Sequence, residues 1–178
     1  MSRGRLIAVT CLILVAAASR VIPHPPNFTP ITAIALFGGA YFTRKWLAFF
    51  VPLSSLFLSN LVLGYGVGSY VVYASFALVV AIGLLLRRHR SALPIAMAAL
   101  ASSILFFLIT NFGVWFFDHM YPKTAAGLMV CYAAAIPFFK NAVLGNALYT
   151  IVLFGGFALA QNYWPVLKER ENLQPASL

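Results

Sequence analysis

The chain has 178 residues, of which 62% are hydrophobic and only 8% charged. A soluble domain carries about a quarter of its residues as Asp, Glu, Lys or Arg, so an ordinary water-facing surface is excluded. The net charge of +9 comes from 12 Lys and Arg against three acids; because the basic residues cluster at the ends of apolar runs, they fit the positive-inside rule and anionic headgroups rather than nucleic acid.

The first apolar run, 6–22, follows Arg3 and Arg5. Its Ala16-Ala17-Ala18-Ser19 also has the small-residue pattern of a signal-peptide cleavage site. The run continues past Arg20 to Ile22, so it reads as a retained helix. Four prolines between positions 23 and 30 then remove backbone donors and forbid helix, which predicts an extended connector. The next run, 31–42, is short for a crossing and holds Ala33, Ala35, Gly38, Gly39 and Ala40. Small residues let helices approach closely in lipid, and a short, Pro-entered span is the form of a discontinuous transporter helix.

Arg44-Lys45 closes that run. A third span is expected at 46–63, a tight turn at 64–68, and a fourth span at 69–86 ended by Arg87-Arg88-His89-Arg90. The fifth is expected at 92–112, followed by a polar and aromatic stretch. Residues 125–136 are apolar but short, and Pro137 follows them, so they read as a re-entrant or interfacial helix ahead of a last span at 142–163. Residues 165–178 form a polar, frayed cytoplasmic tail. The expectation is therefore a single all-α transmembrane domain over 1–178, with six transmembrane helices and one short helix before the last span.

Charge gives the orientation. With the N-terminus inside, nine basic residues (Arg3, Arg5, Arg44, Lys45, Arg87, Arg88, Arg90, Lys168, Arg170) face the cytoplasm and three (Arg20, Lys123, Lys140) face out. That bias places both termini in the cytoplasm of a bacterial inner membrane. Cys11 and Cys131 are too few for a disulfide framework and read as small packing residues.

Enzyme signatures are absent: there is no Walker A loop, no H-E-x-x-H and no G-x-S-x-G. Outside the tail the only carboxylate is Asp118, which argues against paired acid–base chemistry, carboxylate metal cages and proton or sodium coupling. His24, His89 and His119 are dispersed, so no metal or cofactor is called for. The outer face, in contrast, collects Arg20, His24, Asn27, Asn60, Tyr65, Asn111, Trp115, Asp118, His119, Tyr121, Lys123, Lys140, Asn141 and Asn146. An intramembrane Asn either joins helices or faces a wet cavity, and polar and aromatic groups gathered on one face point to an outward-open pocket. A cyclic ligand with an anionic group would suit Trp115, Tyr121, Arg20 and Lys140. The competing reading is an aromatic belt and headgroup contacts.

The segments Arg20-Val21-Ile22-Pro23-His24-Pro25-Pro26-Asn27-Phe28-Thr29-Pro30, Thr110-Asn111-Phe112-Gly113-Val114-Trp115, Met120-Tyr121-Pro122-Lys123-Thr124 and Ala135-Ile136-Pro137-Phe138-Phe139 resemble those of an uncharacterised family of small bacterial six-span membrane proteins. That family is distantly similar to the substrate-binding S components of energy-coupling-factor vitamin transporters. The resemblance implies capture of a vitamin or related micronutrient near the external surface, beneath the loops 23–30, 64–68 and 113–137. It also implies a transmembrane and ATPase module as partner, docked through small residues on the first span. That span has no A-x-x-x-A match here. The reading from a different class is a non-transporting small membrane subunit packed against a larger complex or lipid.

Overall fold

The structure is a computed structural model that describes residues 1–64 and 69–168. Its described residues form helices and connectors. Ser2 accepts a hydrogen bond from the Arg5 amide at 3.2 Å and so starts α1, Arg3–Ala18, which a 3₁₀ turn extends over Ser19–Val21. The connector that follows is not extended as expected: it turns at Pro26-Asn27, where the Phe28 amide donates to the Pro25 carbonyl at 3.0 Å and Asn27 takes φ 63°. After it come α2 (Ile31–Tyr41), α3 (Lys45–Leu63) and α4 (Ser69–Leu85). The last two long elements are α5 (Ala92–Phe117) and α6 (Ala125–Thr150). Thr124 caps α6 by accepting from the Gly127 amide at 3.1 Å. A π-turn, Ile151–Gly155, carries α6 without a break into α7, Gly156–Tyr163.

Five of these helical stretches are long and apolar enough to cross a membrane, as in a multi-pass membrane protein. The sixth, α2, is not. Eleven residues rise only about 16 Å, against a hydrocarbon core of about 30 Å. Instead α2 is the centre of the bundle, with ten of its eleven residues buried. Large apolar side chains such as Ile7, Val15, Trp46, Leu85, Met129 and Ile151 point outward, where lipid rather than water satisfies them.

Hydrogen bonds show which ends lie together. Arg87, just beyond α4, donates to the carbonyls of Gly39 (3.1 Å), Phe42 and Thr43 (3.2 Å), so α2 and α4 end on the same side. Ser2 donates to the Val166 carbonyl at 3.0 Å and Arg5 to that of Leu167 at 3.4 Å. The two ends of the described chain therefore meet on that side too, and residues 164–168 are a folded clasp rather than a frayed tail. Residues 169–178 lie outside the described residues. With both ends together the chain runs along the bundle an even number of times: once each for α1, α3, α4, α5 and the α6–α7 stretch, and once for α2 with its connector.

That connector does not stay at the surface. A Cβ on Gly145 would sit 3.0 Å from the Thr29 nitrogen and 3.1 Å from Phe28 backbone atoms. Gly145 lies in the middle of the 39-residue stretch Ala125–Tyr163, so the Pro-rich chain descends to mid-bundle before α2 begins. Proline and an N–H-poor backbone make this feasible, since fewer donors need satisfying away from water.

The expectation for the stretch before the last span is also corrected. Residues 125–136 are not a separate short helix ahead of the last span; they are the first turns of α6, and Pro137 lies inside it. Proline removes one i→i−4 bond, but in a bundle that excludes water the neighbouring backbone bonds have no better partner, so the helix continues through it. The fifth span likewise runs on to Phe117.

Candidate functional site

A cavity of about 400 Å³ lies beneath the connector, bounded by α2, α3, α4, α5 and α6. It extends from Ser103, near mid-height of α5, to Gly64, Ser69 and Val114 at the end where α3 and α4 are joined. This is the size range of small-ligand pockets.

Among the described residues Arg20 is its one charged lining residue. Helix α1 ends in the 3₁₀ turn that carries Arg20, and the Ser19 hydroxyl, 2.9 Å from the Tyr149 hydroxyl, fastens that turn to α6. The Arg20 Nη1 donates to the Ser59 hydroxyl and, at 3.1 Å, to Asn60 Oδ1. Asn60 in turn donates from Nδ2 to the Tyr73 hydroxyl at 3.3 Å. The Arg20 Nε is buried and has no hydrogen-bond partner among the described residues. Among the described residues no carboxylate lines the cavity.

A second positive element is the start of α2. Ile31 and Thr32 line the cavity, and Pro30 at the N-cap supplies no side-chain cap. The first-turn amides of a helix have no intrahelical acceptor, and the aligned peptide dipoles add a partial positive charge there. The half-length of α2 is what brings this end to the interior. Opposite it, Phe106, Phe107, Phe138 and Phe139 form an aromatic wall, with Phe107 and Phe139 rings 4.6 Å apart. Thr110 and Asn111 add polar groups, although Thr110 Oγ1 and Asn111 Nδ2 are bonded to the Phe106 (2.7 Å) and Phe107 (2.8 Å) carbonyls.

The residues singled out in the sequence divide into groups. Arg20, Asn27, Asn60 and Asn111 line the cavity; Asn27 adopts φ 63°, a left-handed conformation that asparagine tolerates. Trp115, Asp118 and Lys123 lie outside it, in a network that closes the turn between α5 and α6. Trp115 Nε1 donates to the Pro122 carbonyl at 2.9 Å, and Lys123 donates to the Trp115 and Asp118 carbonyls with its Nζ 5.8 Å from the Trp115 ring centre. Asp118 accepts from the His119 amide at 2.7 Å. Tyr121 and Lys140 do not line the cavity. His24 is exposed, its Nδ1 2.7 Å from the Ile22 carbonyl.

Asn141 holds the connector by donating to the Pro26 carbonyl at 3.1 Å. Asn146 is buried and joins helices, donating to the Ala99 carbonyl and the Ser103 hydroxyl, both at 2.8 Å. Tyr65 lies outside the described residues. The lining residues that sequence reasoning passed over include Thr29, Thr32 and the four phenylalanines; Phe106-Phe107 fell within the expected fifth span and Phe138-Phe139 between the expected short helix and the last span, and neither pair was read as a pocket wall. Among the described residues no group of three or more His, Cys, Asp or Glu is placed to hold a metal.

A family model described as a family of unknown function, DUF6580, matches residues 1–167, and the chain belongs to that family. No curated protein and no solved structure matches the chain.

Proposed function

We propose that this member of DUF6580 is a substrate-binding or uptake protein of the S-component type, which captures a vitamin or related micronutrient from outside a bacterial inner membrane. Its termini are cytoplasmic in this reading, because the basic side of the bundle follows the positive-inside rule. The observation that carries the reading is the cavity lined both by Arg20 and by the first residues of α2, whose N-cap Pro30 supplies no side-chain cap, with no carboxylate among its described lining residues. A cation and a helix N-terminus together favour an anionic group, and the phenylalanine wall favours a flat apolar remainder. A carboxylated or phosphorylated vitamin with a ring has both parts.

Protein purified in mild detergent should therefore co-purify with a small anionic molecule detectable by mass spectrometry. A panel of carboxylated and phosphorylated vitamins should raise its melting temperature, since a ligand that binds only the folded state stabilises it. Arg20→Gln should weaken that binding by about tenfold to a hundredfold, the worth of a charge-assisted hydrogen bond, while Trp115→Ala leaves it unchanged. A chain that carries no small molecule and gains no stability from the panel would instead favour the non-transporting subunit.

A further inference from the structure

A second concavity, about 650 Å³, lies on the opposite half of the molecule between α5 and the α6–α7 stretch. Its walls combine alanines, Ala92, Ala96 and Ala99 on one side and Ala147 and Ala158 on the other, with Ile95, Leu100, Val143 and Ile151. The floor is aromatic. Phe154, in the π-turn, packs 5.6 Å from Tyr41 and 5.3 Å from Phe37, ring centre to ring centre. A π-turn adds a residue to one turn and displaces the helix face; here it turns Phe154 onto the core and leaves Gly155, without a side chain, on the groove.

Three features state what would fill it. Among the described residues its one charged lining residue is Arg90, whose guanidinium lies 4.9 Å from the Tyr41 ring centre. Arg87 and Arg88 stand in the same connection, so this end is at the basic side of the bundle, where cations attract anionic phospholipid headgroups. From Ala92 to Ser103 along α5 is eleven residues, or about 16 Å, which is one leaflet of a hydrocarbon core about 30 Å thick. At the inner end Asn146 spends both amide hydrogens on Ala99 and Ser103 and its Oδ1 accepts from Thr150 at 3.4 Å. The polar groups there are turned to one another and leave an apolar end to the groove.

We propose that this groove binds one acyl chain of an anionic phospholipid, with the lipid phosphate on Arg90. The site is separate from the cavity at Arg20, although Ser103 borders both. A slot one leaflet deep, cationic at the headgroup level and apolar along its length, fits this molecule better than a soluble anion, which would leave the walls wet.

The test uses the full chain, extracted in mild detergent and analysed by native mass spectrometry after exchange with phosphatidylglycerol or phosphatidylcholine of identical chains. The wild type should retain one phosphatidylglycerol and prefer it about tenfold over phosphatidylcholine, the scale of a charge-assisted bond. Arg90→Gln should abolish that preference, and Ala96→Phe, which fills the slot, should lose retained lipid altogether. Should either variant not fold, the wild type still decides. Equal retention of the two lipids by the wild type overturns the proposal, as does unchanged preference in a folded Arg90→Gln protein. Glycerol 3-phosphate, which has the headgroup phosphate and no chain, should give no stabilisation; stabilisation equal to that by phosphatidylglycerol would mean a soluble phosphate site instead.

Discussion

At the scale of single residues, Arg20 and Asn60 govern what the cavity can hold. Arg20 is kept in place by neutral acceptors, Ser59 and Asn60, so its charge is oriented without being neutralised. Replacing Asn60 by Asp puts a carboxylate where the amide oxygen now sits, 3.1 Å from the guanidinium. Asn60→Asp should keep the fold, since a near-isosteric acceptor remains and gains charge-assisted strength. It should also repel an anionic ligand and reduce its affinity by at least about tenfold, because charges at such distances interact by several kcal/mol at a partly buried site. Calorimetric titration with the co-purifying ligand checks this, and affinity maintained in Asn60→Asp would count against an anion at Arg20. Arg20 was legible in the sequence as a cation at the end of a span. Its partners were not, because they lie 39 and 40 positions away and no local period connects them. Trp115 and Lys123 misled for the opposite reason: their residue types suit ligand binding, yet seven- and eight-residue separations let them satisfy the turn that contains them.

At the scale of elements, α2 is the unusual member, and its place depends on close approach to α4. A Cβ on Gly39 would meet the Gly83 Cα at 2.8 Å, and one on Gly83 would meet the Gly39 Cα at 2.9 Å. Without a hydrophobic force between helices in lipid, such backbone contact is what association rests on. Gly39→Ala should push α2 and α4 apart and cost about 1–3 kcal/mol, the usual range for overpacking, seen as a lower melting temperature in detergent. Gly156→Ala is the matched control, because nothing lies within 4 Å of a Cβ there; it should be neutral or slightly stabilising, as expected for removing a helix glycine. Equal effects from the two substitutions would mean that the α2–α4 contact is not limiting. The shortness and small residues of 31–42 were readable, and so was the proline-rich entry. The continuity of α6 through Pro137 was not, because a proline marks a break only when freed backbone groups have water or another partner to turn to.

At the scale of the whole molecule, sequence charge and structure bear on the same question from different directions. The positive-inside count treats the basic residues as free reporters of orientation, but several have structural work on that side. Arg87 binds the carbonyls at the end of α2, a favourable place for a cation, and Arg5 is buried against Leu167, 5.9 Å from the Phe157 ring centre. Their location is therefore fixed by packing as well as by insertion, and the geometry alone requires that Ser2, Arg44 and His89 share one side while His24 and Met120 share the other. Single-cysteine versions, with Cys11 and Cys131 replaced by Ala, decide this directly. In inverted and right-side-out vesicles, a membrane-impermeant maleimide should label Ser2→Cys, Arg44→Cys and His89→Cys from one face, and His24→Cys and Met120→Cys from the other. Labelling of Arg44→Cys and His24→Cys from the same face would mean that α2 and its connector do not together make a crossing. The pass that α2 makes with its connector would then be lost, and with it the placement of the cavity built on the start of α2.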